Sequence, residues 1–141
     1  MTYDVVNAYL NSPCREKIWF VASSEHRERK EKVLVIVPAL YGLKSSLESW
    51  RTMFADTLLA MNFVPNQADP DFYRRKSRKP DGEEYYELPL FYVDDVLACL
   101  HDPQAIMDDL ALTYDLKEGS VRAPTIYLGA EIKKYQVGNG K

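Results

Sequence analysis

Phe91-Tyr92-Val93-Asp94-Asp95-Val96-Leu97-Ala98 sets two adjacent carboxylates inside the most apolar stretch of a 141-residue chain. Leu88-Pro89-Leu90 runs into this segment and Cys99-Leu100 runs out of it. Neighbouring anions repel, and an unpaired charge withdrawn from water costs several kcal/mol. The doublet therefore calls for a solvent-facing turn, a positive partner or a metal ion. Aspartate is a poor strand former and a good turn former. The pattern predicts a strand ending at Val93, a second strand from Val96 to Leu100, and Asp94-Asp95 capping the tight hairpin between them. Both carboxylates then project from one end of a buried sheet.

Working outward, Lys79-Pro80-Asp81-Gly82 is a turn signal, because proline presets the turn dihedral and glycine tolerates a positive φ. It predicts a second hairpin with its tip near Asp81, between Asp71–Lys76 and Glu83–Leu88. Residues 45–61 fit a helix, with Ser45 and Glu48 in capping-box spacing and Leu47, Trp50, Phe54, Leu58 and Met61 forming one apolar stripe. That stripe reads as core. A second helix is predicted from Pro103 to Tyr114, with Asp102 as N-cap and Ile106, Leu110 and Tyr114 as the buried face. Asn11-Ser12-Pro13 reads as the cap of a short helix through about Ile18, and Val33–Val37 and Ile126–Ile132 as strands. The layout is α+β, with no internal repeat or low-complexity tract.

Hydrophobic residues make up 46% of the chain, a globular composition. A net charge of −3 argues against a free-standing nucleic-acid binder. No apolar run reaches membrane-spanning length, and the N-terminus has no secretory pattern. Cys14 and Cys99 lie far apart, in no metal-ligand spacing, and read as buried or half-buried thiols in a reducing, cytoplasmic compartment. His26–Lys32 mixes both signs of charge and reads as a solvated loop. Arg74–Lys79 is more purely basic; it suits either a phosphate backbone or an arm kept soluble by charge.

A third carboxylate completes the pattern. Asp4 stands in Tyr3-Asp4-Val5-Val6-Asn7-Ala8-Tyr9-Leu10. One aspartate on an upstream strand and a doublet at a hairpin can converge at one end of a sheet. Three hard oxygen donors there suit Mg²⁺, which takes a few carboxylates together with substrate phosphate oxygens. Two such ions can activate an attacking hydroxyl and stabilise a leaving pyrophosphate.

Four blocks, in order, then carry a resemblance to the copia-type LTR-retrotransposon reverse transcriptases, the RNA-directed DNA polymerase region of a polyprotein. Asp4–Asn11 resembles the first palm motif of that family, Ala39-Leu40-Tyr41-Gly42-Leu43-Lys44 through Trp50 its SLYGLKQSPRAW block, Tyr92-Val93-Asp94-Asp95 its YVDD box, and Tyr127–Ile132 its FLGIEI segment. Gln67–Tyr73 matches a linker typical of the family.

The resemblance implies a truncated, palm-like antiparallel sheet with helices on one face over residues 1–136, followed by a frayed tail at 137–141. It implies that Asp4, Asp94 and Asp95 are the catalytic, metal-binding carboxylates, with Val5 offering its carbonyl to one of two Mg²⁺ ions (Mn²⁺ as a possible substitute). Tyr9 would be the aromatic gate beneath the incoming sugar, and Gly42 and Lys44 would lie near the nucleotide and template base. Lys117 resembles a family lysine that donates a proton to pyrophosphate, and the Tyr127-Leu128-Gly129 hairpin would approach the primer.

The implied reaction is transfer of a dNTP to a primer 3′-hydroxyl, with an RNA or DNA template-primer as partner and fingers, thumb, RNase H and integrase as neighbouring polyprotein domains. Ser45-Ser46-Leu47 departs from the Gln-Ser-Pro that usually follows the family lysine. Fingers and thumb have no counterpart in this stretch, so the chain alone is expected to have little or no polymerase activity. The alternative reading is a non-catalytic remnant that serves as an interaction module, its carboxylates intact but unused.

Overall fold

The computed structural model describes residues 1–133. In chain order the strands are β1 (Thr2–Asp4), β2 (Trp19–Val21), β3 (Val33–Val35), β4 (Val64–Pro65), β5 (Tyr73–Arg78), β6 (Glu84–Tyr92), β7 (Asp95–Cys99), β8 (Ile126–Tyr127) and β9 (Ala130–Glu131). The helices are α1 (Ser46–Ala60) and α2 (Pro103–Ala111), with short 3₁₀ stretches at Ala8–Asn11 and Ser24–Arg29. The expected 137–141 tail lies outside the described residues. The chain divides into two compact units, one made of Met1–Val6 with the residues from Phe63 on, the other of Asn7–Asn62.

The first unit is built on a five-stranded antiparallel sheet of order β1-β7-β6-β5-β4. The β5–β6 hairpin turns at Lys79–Glu83 as the Pro-Asp-Gly signal predicts, with the Gly82 amide donating to the Lys79 carbonyl at 2.9 Å. Pro89, which has no N–H to give, lies between the Arg75–Glu87 pair and an isolated Phe72–Leu90 bridge, where the β5–β6 ladder is interrupted. The chain then passes through β7 into α2. Asp102 caps α2 as expected, accepting from the Gln104 and Ala105 amides at 3.2 and 3.4 Å, with Pro103 in the first turn. The helix stops at Ala111, short of Tyr114, but Ile106, Leu110 and Tyr114 are all buried. Tyr3, Val5, Val96, Leu97 and Ala98 of the same unit are buried as well. The loop after α2 returns along β1: Val6 N donates to Asp115 O at 2.8 Å, and Thr2 and Arg122 exchange main-chain bonds.

The basic run Arg74–Lys79 is not a free cationic arm. Arg75, Arg78 and Lys79 pair with Glu87, Glu84 and Glu83 across the hairpin. Arg75 also lies over the Phe63 ring at 4.3 Å, and the Tyr85 hydroxyl donates to Glu87 at 3.0 Å. Cys99 departs from expectation too. Standing at the end of β7, after three buried residues, Cys99 is exposed, while Cys14 is half-buried, and both are free thiols.

The second unit holds α1. Trp50, Phe54 and Leu58 are buried as the stripe predicts, and Trp50 and Phe54 meet at 5.3 Å between ring centroids. Leu47, at the start of that stripe, is 42% exposed. The predicted capping box does not form. Ser45 has helical backbone angles and makes no side-chain cap. Instead its amide and hydroxyl both donate to Glu16, at 3.0 and 2.8 Å, and Glu48 pairs with Arg15. The helix predicted after Asn11-Ser12-Pro13 is likewise replaced. The helical turn precedes it, at Ala8–Asn11, and Pro13 forms a bridge with Pro38. Strand β3 stops at Val35, short of Val37, and pairs with β2, both strands largely exposed.

Candidate functional site

The doublet sits at a turn, one residue out of the predicted register. Tyr92 pairs directly with Asp95, so the turn is Val93-Asp94 and Asp95 already belongs to β7. A two-residue hairpin connection needs a positive φ at its first position, and Val93 supplies it at φ 55 despite its branched Cβ. The consequence is that Asp94 and Asp95 hold different backbone roles, one in the turn and one in the ladder.

Strand β1 brings the third acid to the same place. Asp4 is the direct cross-strand partner of Asp95. The next amide, Val5 N, donates to the Asp94 carbonyl at 2.9 Å. Asp4, Val5, Asp94 and Asp95 are thus brought together at one end of the sheet. Asp94 and Asp4 are half-buried and Asp95 is more open. Partial desolvation, and then the charges of Asp94 and Asp4, push the Asp95 carboxyl above its usual range, against the opposing pull of Lys117. Like charges directly opposed across strands are destabilising, so this end of the sheet carries mutual repulsion.

Lys117 gives partial relief. Its ammonium lies 3.0 Å from Asp4 Oδ2, and its amide donates to the Asp4 carbonyl at 2.9 Å. Hydrogen bonding to Asp4, then the charge of Asp4 and the fields of Asp94 and Asp95, hold the lysine above its ordinary value. Ser120 accepts from Asp4 N at 3.1 Å. The family resemblance singles out Lys117, but neither its pairing with Asp4 nor the Ser120 contact was legible in the sequence. An open cavity of about 560 Å³ adjoins these groups, lined among others by Asp4, Asp95, Lys117, Arg122 and Tyr127. The Tyr127 hydroxyl is pushed up to about 12, first by burial and then by Asp95 and Cys99. Tyr127 stands in the β8–β9 hairpin, which turns at Leu128-Gly129, where the apolar pattern predicts one strand and the family resemblance a hairpin.

The remaining candidates belong to the second unit. Tyr9 follows the 3₁₀ start and packs at a 46° tilt against Tyr41 of the Tyr41–Lys44 block, with ring centroids 4.5 Å apart. Gly42 takes φ +91, a conformation that side-chain-bearing residues resist, with open space where a Cβ would stand. Lys44 is exposed.

For divalent cations, the donor chemistry fits. The acids are hard-oxygen donors that share one electrostatic neighbourhood, and only Asp4 among them is ion-paired within the described residues. They are not closed into a cage: among the described residues, no three histidine, cysteine or acidic side chains are gathered closely enough to hold an ion as they stand.

An α+β unit with three carboxylates at one end of an antiparallel sheet belongs to a broad class. The match to known sequences narrows it: the chain belongs to the family described as reverse transcriptase (RNA-dependent DNA polymerase), which it matches over residues 1–140. It is 27% identical over 120 residues to the "Retrovirus-related Pol polyprotein from transposon TNT 1-94" of Nicotiana tabacum, covering 82% of this chain and 9% of that one. It is 26% identical over 140 residues to the corresponding polyprotein from transposon RE1 of Arabidopsis thaliana, covering 96% of this chain and again 9% of the relative. The copia-type retrotransposon resemblance is therefore borne out, and the chain spans about a tenth of the length of these curated relatives (9% in each). No solved structure matches significantly. No helix among the described residues is long and apolar enough to cross a membrane.

Proposed function

We propose that the sheet end carrying Asp4, Asp94 and Asp95 is the nucleotidyl-transfer site of a retrotransposon RNA-directed DNA polymerase, and that the first unit is its palm. The observation that carries this reading is the direct pairing of Asp4 with Asp95, reinforced by the Val5-to-Asp94 bond. Asp4, Asp94, Asp95 and the Val5 carbonyl would hold two Mg²⁺ ions, or Mn²⁺ in their place. When bound, such ions make a primer 3′-hydroxyl a better nucleophile and neutralise the departing pyrophosphate. The protein's own part is positional. The β1–β7 ladder fixes Asp4 against Asp95, and the Val93-Asp94 turn sets the doublet's other acid, Asp94, beside it.

Tyr9 is proposed as the aromatic that reads the sugar of the incoming dNTP; its tilted contact with Tyr41 would keep the ring from swinging away. Gly42 leaves the backbone open to close approach, and the exposed Lys44 offers a cation to a phosphate or base edge. Template-primer and the other polyprotein domains are the proposed partners. The 141-residue chain represents 9% of its relatives' length, and by itself it is proposed not to extend a primer.

The test is Mn²⁺ binding to the 141-residue chain, followed through the electron spin resonance of the free ion. Wild type should bind, and Asp94→Asn with Asp95→Asn should bind at least about tenfold more weakly, as loss of charged ligands requires. Equal binding by both would remove the site.

A further inference from the structure

We propose that Lys117 is a tethered counter-cation of the acidic cluster, whose ammonium must leave Asp4 before a divalent ion can use that carboxylate. This rests on the metal-binding reading above and adds a competitor to it.

The main chain on either side of Lys117 is pinned. Val6 N bonds to Asp115 O at 2.8 Å, Leu116 bridges Val5, Lys117 N bonds to Asp4 O at 2.9 Å, and Ser120 N bonds to Lys117 O at 3.0 Å. The side chain is different. It is 67% exposed, against 25% for the Asp4 carboxylate that it meets. A fixed base with an exposed, flexible stem delivers the ammonium to Asp4 and still lets it swing away without any change of backbone.

The charges give the pairing its purpose. Three carboxylates meet one ammonium, and among the described residues Asp94 and Asp95 make no ion pair of their own. A single positive charge lessens the repulsion at the sheet end but does not cancel it. A divalent ion attracts the same carboxylates with twice the charge, so it can displace the lysine, yet it must compete with it. Lys117 therefore stabilises the ion-free chain and weakens ion binding, two effects with one cause.

The experiment compares wild type, Lys117→Met, Lys117→Arg and the Asp94→Asn/Asp95→Asn pair in the 141-residue chain. The readouts are Mn²⁺ affinity by spin resonance and thermal midpoint with and without Mg²⁺, with circular dichroism as the check on folding. Lys117→Met keeps the stem and removes the charge. It should bind Mn²⁺ about fivefold more tightly, the factor that an ion pair open to solvent commands. It should also melt lower without ions and gain more from Mg²⁺, while Lys117→Arg follows wild type. If wild type binds Mn²⁺ and Lys117→Met binds it no more tightly, the counter-cation is refuted and the metal site stands. If neither wild type nor Lys117→Met binds, the metal site falls and this inference falls with it.

Discussion

Val93 bears a φ of 55 at the first turn position, a value that a branched side chain resists by about 1–2 kcal/mol. That strain is stored directly between the strand ends that carry the doublet. With a positive φ at Val93 and none at Asp94, the turn is of the kind that takes glycine at its first position, so Val93→Gly should raise the denaturation midpoint by about 1 kcal/mol in equivalent stability. Tyr3 presents a second local cost. Its hydroxyl is buried without a hydrogen-bond partner among the described residues, and burial, with the Tyr127 charge second, drives its pKa far above the tyrosine range. An unsatisfied buried hydroxyl destabilises, so Tyr3→Phe is expected to stabilise the chain by about 1 kcal/mol in urea unfolding. Neither cost was readable beforehand. Tyr3 and Val93 are ordinary strand formers in sequence, and their penalties arise only from where the ladder puts them.

At the scale of elements, legibility follows distance along the chain. The start of α2 was legible because Asp102 and Pro103 adjoin the amides they serve. The start of α1 was legible to within a residue, but its cap was misread, because the group that holds Ser45 is Glu16, 29 residues away, and local spacing favoured Glu48. The β5–β6 hairpin followed from its turn residues, whereas the doublet's turn slipped by one, since two apolar strands leave the register undecided until both are paired. The α1 tether has a pH signature. Hydrogen bonds from Ser45, amide first and hydroxyl second, hold the Glu16 carboxyl below its ordinary value of 4.5. A depressed folded value means that the contribution is complete above the unfolded value and is lost as pH falls through the folded one. Thermal midpoints should therefore decline between the ordinary carboxylate range and stronger acid, and Glu16→Gln should lower the plateau and flatten that decline.

Over the whole molecule, the acids were legible only as a set, because Asp4 and the doublet acquire meaning from the blocks around them and from the sheet that joins them. Another molecular property lies in β2 and β3. Trp19 faces Val35 and Val21 faces Val33, on one side of a two-stranded ribbon, and all four are more than half exposed. An apolar face of this kind promotes association. Sedimentation of the 141-residue chain should show self-association rising with concentration, and Val21→Lys with Val35→Glu should reduce it. The frame beneath the acids has a different consequence. Peptide groups join Val5 to Asp94, Lys117 to Asp4 and Thr2 to Arg122, and none of these links depends on a carboxylate. Replacing Asp95 by asparagine would even lift a repulsion, so in ion-free buffer the substituted chain should melt at or above the original. On the reading proposed above, such a substitution would take away ion binding and leave the chain folded, so the shape can outlast the chemistry proposed for it.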